Sequence, residues 1–308
     1  MKRLFSILKL MTCGPTPLLV LLGCAAVSNC DEPSSRPDTV RVAAVQFISR
    51  WAKPDENRRN LEPLVREAAK NGAKIVVLPE TAISSYMSHD IRLTWQVDDR
   101  PVSSGLQGVS PKDVAETVPG QSTRIFGKLA KELGIYLTAP FVEYDPQQKK
   151  YFNTVVLLDP QGRVALHYRK LNPWPYAERA WASPGDRGHQ FIDTPYGRLA
   201  LLICYDINYE PSRLKENRVD HLLYSIAWVD DPDSEWFTKK LPEIARKADV
   251  NIIGANWSVP DLPGWHGYGQ SLIIRRSGEV AARVKNDLGN EIIYADLPVP
   301  QEKQKEEK

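Results

Sequence analysis

Cysteine is scarce in this chain, with four in 308 residues, at Cys13, Cys24, Cys30 and Cys204, and no two of them form a CxxC pair. That count and spacing exclude a scaffold built on disulfides and a thiolate zinc ribbon. Histidine is nearly as rare, at His89, His167, His189, His221 and His266, with no HExxH or close paired spacing, so the sequence supports no metal site. A GxSxG elbow and a glycine-rich phosphate loop are both missing; Gly264, Gly267 and Gly269 in WHGYGQS read as a loop feeding a strand. No unbroken apolar run is long enough to span a bilayer. Charge of one sign is also lacking: the formal net charge is +2, without a basic patch that would suit nucleic acid. Nothing in the residues calls for a cofactor.

What is present is a chain 42% hydrophobic and 25% charged, enough to bury the core of one large α/β domain or two ordinary ones. Its first thirty residues, MKRLFSILKLMTCGPTPLLVLLGCAAVSNC, combine a basic start, an apolar segment broken by Pro15 and Pro17, and small residues, which is the pattern of an export signal. Within it, Leu21-Leu22-Gly23-Cys24 resembles the lipobox of bacterial lipoproteins. That resemblance implies a signal peptide over 1–23, lipidation of Cys24, and a protein of the bacterial cell envelope held on a membrane at its periplasmic or extracellular face. Each buried CH₂ of such an anchor contributes roughly 0.8 kcal/mol. An ordinary secretory signal with an incidental cysteine is the alternative. Loss of Lys2, Arg3 and Lys9 with the signal takes the net charge to about −1. Residues 24–39 read as a linker holding Cys30, so Cys204 is the one cysteine left to the folded domain at 40–298. Residues 299–308, ending in QEKQKEEK, form a charged, solvated tail.

Inside the domain, VRVAAVQF (40–47) reads as a buried strand, and a helix follows from about Asp55, a suitable N-cap, with Leu61, Leu64, Val65 and Ala68 at helical spacing. KIVVLPE (74–80) is a second strand, completing a βαβ unit. Residues 84–120, rich in Ser, Asp, Gly and Pro, read as an inserted loop region. A second amphipathic helix carries Ile125, Phe126, Leu129, Ala130 and Leu133. YFNTVVLLDPQGRVALHYRK (151–170) reads as a hairpin turning at Asp-Pro-Gln-Gly. The pattern then repeats: strand RLALLIC, helix 211–217, strand DHLLYSIA, helix 234–248, strand VNIIGANW and a closing hairpin about Ser277-Gly278. Strand and helix units in both halves predict one domain of two sheets, each covered by helices.

Three titratable residues stand at the polar ends of apolar strands, where α/β folds assemble their sites: Glu80 in KIVVLPE, Lys170 in RVALHYRK and Cys204 in RLALLIC. Each alone has an ordinary reading, as an exposed glutamate or helix cap, a surface lysine, or a small core cysteine. Together they supply a thiol nucleophile, a base to deprotonate it and a cation for a developing oxyanion.

KIVVLPET with Tyr86 six residues after the acid, YRK ending at Lys170, and ICYDINYEP with Cys204 resemble, in order, the three blocks of the nitrilase superfamily, the carbon-nitrogen hydrolases. Smaller family-like pieces are Pro-Gly-Gln-Ser-Thr at 119–123, YFNTVVLLDPQG and IIGANW. The resemblance implies an α/β fold, a four-layer α-β-β-α sandwich, assembled as a homodimer. It implies Glu80 as general base and acid, Cys204 as nucleophile, and Lys170 with the backbone N–H of Tyr205 for the oxyanion. Glu178 falls where many amidase members carry a second glutamate, a surface glutamate paired with Arg179 or Arg187 being the bland alternative. A neighbouring helix and Lys170 are expected to favour the Cys204 thiolate.

Cys-Tyr-Asp resembles amidase branches more than true nitrilases. The expected activity is hydrolysis of a small-molecule amide through a thioester, with nitrile or N-carbamoyl hydrolysis, N-acyl transfer and non-catalytic binding as alternatives. SIAWVDD and IIGANWSVPDLPGWHGYGQS are similar in layout to the vanin and biotinidase branch, which would place Trp228 in the pocket, or else in the core at a strand end. Trp174, Tyr176, Trp181 and Trp265 are candidates for an aromatic rim.

Overall fold

The computed structural model describes residues 36–86, 96–97, 100–101, 110–175, 178–228, 235–262, 265–286 and 288–301. The signal, Cys24 and Tyr176 therefore lie outside the described residues, as does most of the inserted region. Among the described residues, no helix is long and apolar enough to cross a membrane.

Among the described residues, sixteen strands and four α-helices follow one another. β1 (Thr39–Gln46), α1 (Pro54–Lys70), β2 (Ile75–Val77), the short β3 (Gln96–Val97) and β4 (Arg100–Pro101), α2 (Gln121–Leu133), β5 (Tyr136–Asp145), β6 (Lys150–Leu158) and β7 (Val164–Arg169) make the first half. The second contains β8 (Phe191–Thr194), β9 (Gly197–Ile203), α3 (Pro211–Glu216), β10 (His221–Ile226), α4 (Leu241–Ala248), β11 (Asn251–Asn256), β12 (Ser258–Leu262), β13 (Trp265–Tyr268), β14 (Leu272–Ile274), β15 (Val280–Arg283) and β16 (Glu291–Pro298). Two six-stranded sheets result, in the orders β16-β1-β2-β5-β6-β7 and β15-β14-β11-β10-β9-β8. Each has three parallel strands at its centre, β1-β2-β5 and β9-β10-β11, and antiparallel strands outside them.

Burial on both faces explains why the central strands read as unbroken apolar runs. In β1, Val40, Val42 and Ala44 point into the core between the sheets, while Ala43 and Val45 pack under α1 and α2 with Leu61, Val65, Ala68, Phe126 and Leu129. Leu214 of α3 and Leu241, Ala245 and Ala248 of α4 join the core of the second sheet. The layers are therefore helix, sheet, sheet, helix, as the residues and the resemblance led one to expect.

Two local expectations are corrected. α1 begins at Pro54 after Lys53, without a side-chain cap. Asp55 lies in its first turn and is instead engaged by Arg58, which is 5% exposed and also reaches Glu116 and Ser122 at the start of α2. The continuous helix expected over 234–248 is a wider π turn over Trp236–Lys240 that leads into α4. Pro242 supplies the reason: it has no N–H with which to continue the ladder.

Parallel strands bring their carboxyl ends to one edge of the sandwich. The exit of β2 is stitched to the end of β10, with the Glu80 N–H donating to the Ile226 carbonyl (3.2 Å) and Ser225 Oγ to the Leu78 carbonyl (2.9 Å). Residues from two sheets thereby meet at one edge of the sandwich.

Candidate active site

Glu80, Lys170 and Glu178, far apart in the chain, form one buried cluster with Asn153; none of the four is more than 2% exposed. Lys170 Nζ donates to Glu80 Oε1 (2.7 Å) and to Glu178 Oε2. Asn153 Nδ2 donates to the same Glu80 oxygen (2.7 Å) and to Glu178 Oε1. The second Glu80 oxygen, Oε2, is buried without a protein partner. A carboxylate held by one oxygen and open at the other has a lone pair free for a proton.

Lys170 is placed by period-2 alternation. Leu166 and Tyr168 point from β7 into the core between the sheets, and Lys170 continues that row just past the strand end. Its backbone N–H donates to the Asn153 carbonyl on β6 (2.8 Å). Arg169 faces the other way, into Glu143, Asp145 and Asp186. Glu178 sits in a short 3₁₀ turn, and Oε2 also accepts from the Trp174 N–H (2.6 Å). Gly185 closes that segment on the Lys170 strand, its N–H bonded to the Lys170 carbonyl (2.8 Å); an added Cβ would lie 2.1 Å from the Arg169 carbonyl oxygen. Any side chain at Gly185 therefore pushes the Glu178 segment off the site.

β9 ends at Ile203, and Cys204 opens a 3₁₀ turn reaching Asn208. Its φ of +40° is unusual for a residue with a side chain, a strained geometry that turns Sγ off the strand line. Tyr224 OH holds the Cys204 carbonyl (2.8 Å). The thiolate expected from sequence is not the resting form. Burial, then the charge of Glu80, push the thiol well above its ordinary pKa, against the pull of Lys170 and of the Ala227 N–H. The ammonium is already shared by two carboxylates, so it cannot replace the lost hydration of a thiolate. Glu80 is itself pushed up to about 7, by burial first and by Glu178, against Lys170 and Asn153.

Tyr86 is 3% exposed, packs against Trp257 (5.7 Å between rings), and its hydroxyl feels Glu178, Glu80 and Cys204, which places it beside the cluster. Tyr205 and Trp228 line a hollow of ≈ 630 Å³ with Asn208, Tyr209, Trp236 and Lys240. Trp228 stacks on Trp236, rings 4.4 Å apart and nearly parallel. The aromatic rim was misjudged at Trp181, which is buried in a separate cluster with Val114, Val142 and Ala182. The side chain of Trp265 lies outside the described residues, and Trp174 serves the site through its backbone. Among the described residues, no group of His, Cys, Asp and Glu could hold a metal.

Sequence reasoning missed Asn153, Asp206, Tyr168 and Tyr224. Asp206 is fully buried and accepts from Tyr168 OH and Asn172. A polar residue inside an otherwise apolar strand, as in YFNTVVLL, was the available signal for Asn153.

A thiol, a carboxylate with an open oxygen and a fixed ammonium in one buried electrostatic neighbourhood are the parts of an acyl-transfer site. A model of the carbon-nitrogen hydrolase family matches residues 41–305. Omega-amidase NIT2-B of Xenopus laevis is 28% identical over 270 residues, 83% of this chain and 88% of the relative. Omega-amidase NIT2 of Homo sapiens is 29% identical over 270 residues, with the same shares. Among solved structures, an amidase of Nesterenkonia AN1 from the nitrilase superfamily superposes with a TM-score of 0.69 at 20% identity, over 86% of this chain and 93% of the other. Nit3 of Saccharomyces cerevisiae gives 0.69 at 23%, over 85% and 90%. The chain belongs to the carbon-nitrogen hydrolase family of the nitrilase superfamily, and it is a hydrolase of carbon–nitrogen bonds other than peptide bonds.

Proposed function

We propose that this protein is an exported, lipid-anchored amidohydrolase that converts a small amide to a carboxylate and ammonia or an amine, with Cys204 as nucleophile. The observation that carries this reading is the Glu80 carboxylate, held at Oε1 by Lys170 and Asn153 and open at Oε2, in the electrostatic neighbourhood of a thiol that burial keeps protonated. Such a thiol needs a base at the moment of attack.

Glu80 takes the Cys204 proton as sulfur bonds to the amide carbonyl carbon, and the Lys170 ammonium and Tyr205 N–H hold the oxyanion. Collapse breaks the C–N bond while Glu80 returns the proton to the leaving nitrogen. Glu80 then takes a proton from water, the hydroxide adds to the thioester, and the C–S bond breaks with reprotonation of sulfur. Glu178, through Lys170 and Asn153, keeps both aimed at Glu80. Tyr86, Tyr205 and Trp228 contact the substrate. Names of relatives support an amide: omega-amidases, and an amidase whose structures hold acrylamide or butyramide, or carry the acetamide moiety of fluoroacetamide covalently on its active-site cysteine. The proposal follows these relatives rather than the vanin and biotinidase branch. Its natural assembly is a homodimer.

A panel of amides, N-carbamoyl compounds and nitriles assayed for ammonia and carboxylate tests the reading; turnover of nitriles alone, or of nothing, refutes it. On the best substrate, kcat/KM is expected to fall about tenfold per pH unit below the Glu80 pKa of about 7, because only the carboxylate accepts the thiol proton. An acid limb near 4.5, the ordinary value for a glutamate, would remove Glu80 from that role.

The anchor rests on Leu21-Leu22-Gly23-Cys24 behind a basic and apolar start. The mature protein is expected to partition into detergent and to begin with an acylated Cys24. A detergent-free product cut after Ala26 contradicts the anchor and leaves the chemistry untouched.

A further inference from the structure

Lys170 and Cys204 come from different sheets, at the ends of β7 and β9, and a third carboxylate ties the two segments together. Asp206, two residues beyond the cysteine, is fully buried. Its Oδ2 accepts from Tyr168 OH (2.7 Å), and its Oδ1 accepts from the Asn172 backbone N–H (2.8 Å) and from Asn172 Nδ2 (3.1 Å). Tyr168 and Asn172 are the residues two before and two after Lys170. One carboxylate thus grips the chain on both sides of the ammonium-bearing residue.

The grip is firm at the cysteine side too. The Asp206 carbonyl accepts from the Tyr209 N–H (3.0 Å) and the Glu210 N–H (3.2 Å), closing the turn that opens at Cys204 with φ of +40°. The Cys204 carbonyl is fixed in turn by Tyr224 OH. Burial pushes the Asp206 carboxyl up to about 6, against Lys170 and its donors, so it is an anion at neutral pH. A buried anion costs more than an apolar residue of the same volume, and a charge retained in a core best explains itself by the geometry it enforces.

We propose that Asp206 is a positioning residue for amide hydrolysis, setting the distance and direction of the Lys170 ammonium relative to the Cys204 sulfur by clamping Tyr168 and Asn172 onto the turn of the nucleophile. This rests on the roles proposed above for Lys170 and Cys204. Asp206 has no exposed surface, and the groups it holds are Tyr168 and Asn172.

The test compares Asp206→Asn, Tyr168→Phe and the double variant in the full chain, measuring kcat per Cys204 thiol in folded protein isolated by size exclusion, so that unfolded molecules, whose exposed thiols also react, are removed first. Asp206→Asn is expected to lower kcat per thiol about tenfold or more with little change in KM, since misplacing a reacting group by a fraction of an ångström costs that order. Tyr168→Phe, which removes one arm of the clamp at nearly constant volume, should lose about threefold or more, and the double variant should be no worse than Asp206→Asn, the mark of one shared device. A merely structural aspartate would lower the melting temperature and leave kcat per thiol within about twofold of wild type, which overturns the proposal. If Asp206→Asn does not fold, the Tyr168→Phe result decides alone by the same thresholds. If wild type turns over no amide, the functional reading fails separately, and the rate of Cys204 alkylation decides the clamp: a rate unchanged in Tyr168→Phe sinks it.

Discussion

Cys204→Ala is expected to release no ammonia above background from any amide that the wild type hydrolyses, while the protein keeps its circular dichroism and melting temperature. The two halves of this expectation have separate causes. Activity is lost because, among the described residues, Cys204 is the only cysteine and no serine or threonine is bonded to Glu80 to take its place. Removing a nucleophile outright leaves only the residual catalysis of the remaining groups, a fall on the order of 10³ or more. Stability is kept because the change removes a single sulfur atom from a residue 9% exposed, and because alanine meets the same backbone strain at φ of +40° as cysteine does. A burial-raised thiol also makes no charge whose loss would unbalance the cluster. Iodoacetamide followed by mass spectrometry of the digested protein should place a carbamoylmethyl group on Cys204 in the wild type and none at this position in the variant, with Cys30 labelled alike in both. An alanine protein that turns over amide at a wild-type rate refutes the nucleophile.

Glu80, Lys170 and Cys204 were legible because each interrupts the pattern around it: an apolar strand that stops on a titratable residue is a visible event in one dimension. The layers were legible for the same reason, since β1 buries both faces and so reads as a continuous run. Asn153 was not legible in its role. It stands inside β6, and only the register of β6 with β7 brings it under Lys170. Asp206, Tyr168 and Asn172 were invisible as a group because their meaning lies in one carboxylate reaching both flanks of a residue 36 positions upstream of Cys204's turn partner Asp206, a fact of packing between two sheets. The helix start at Asp55 failed because a competing partner, Arg58, claims that carboxylate. The thiolate failed because sequence reveals neighbouring charges but not the burial that outweighs them.

That burial sets function against stability at Glu80. Its folded pKa, about 7, lies above the ordinary 4.5, so the native state holds a proton more tightly than the unfolded chain does. The sign follows: the stabilisation from this group is complete below 4.5 and is lost as pH rises through about 7. The form that accepts the thiol proton is the form the fold tolerates less. Lys170 limits the cost, and it does so with a charge held by both Glu80 and Glu178.

Lys170→Met is accordingly expected to cost more than an oxyanion contact. Loss of a single positioned donor lowers kcat roughly a hundredfold to a thousandfold. Here the variant also leaves two buried carboxylates facing each other without a cation, and like charges in a dry site keep a proton between them. Glu80 should then stay protonated at neutral pH, so that whatever activity remains has its acid limb moved above the wild-type value of about 7. Arginine should not restore activity, because Nζ is a point charge between two carboxylates in a site 1% exposed, with no room for a planar guanidinium. The fold should survive at lower pH, since protonation of the pair removes the uncompensated charge, and the melting temperature should drop as pH rises from about 6 to about 8. A methionine variant within a few-fold of wild-type kcat, with an unmoved acid limb, would show that the ammonium stabilises the protein without taking part in the reaction.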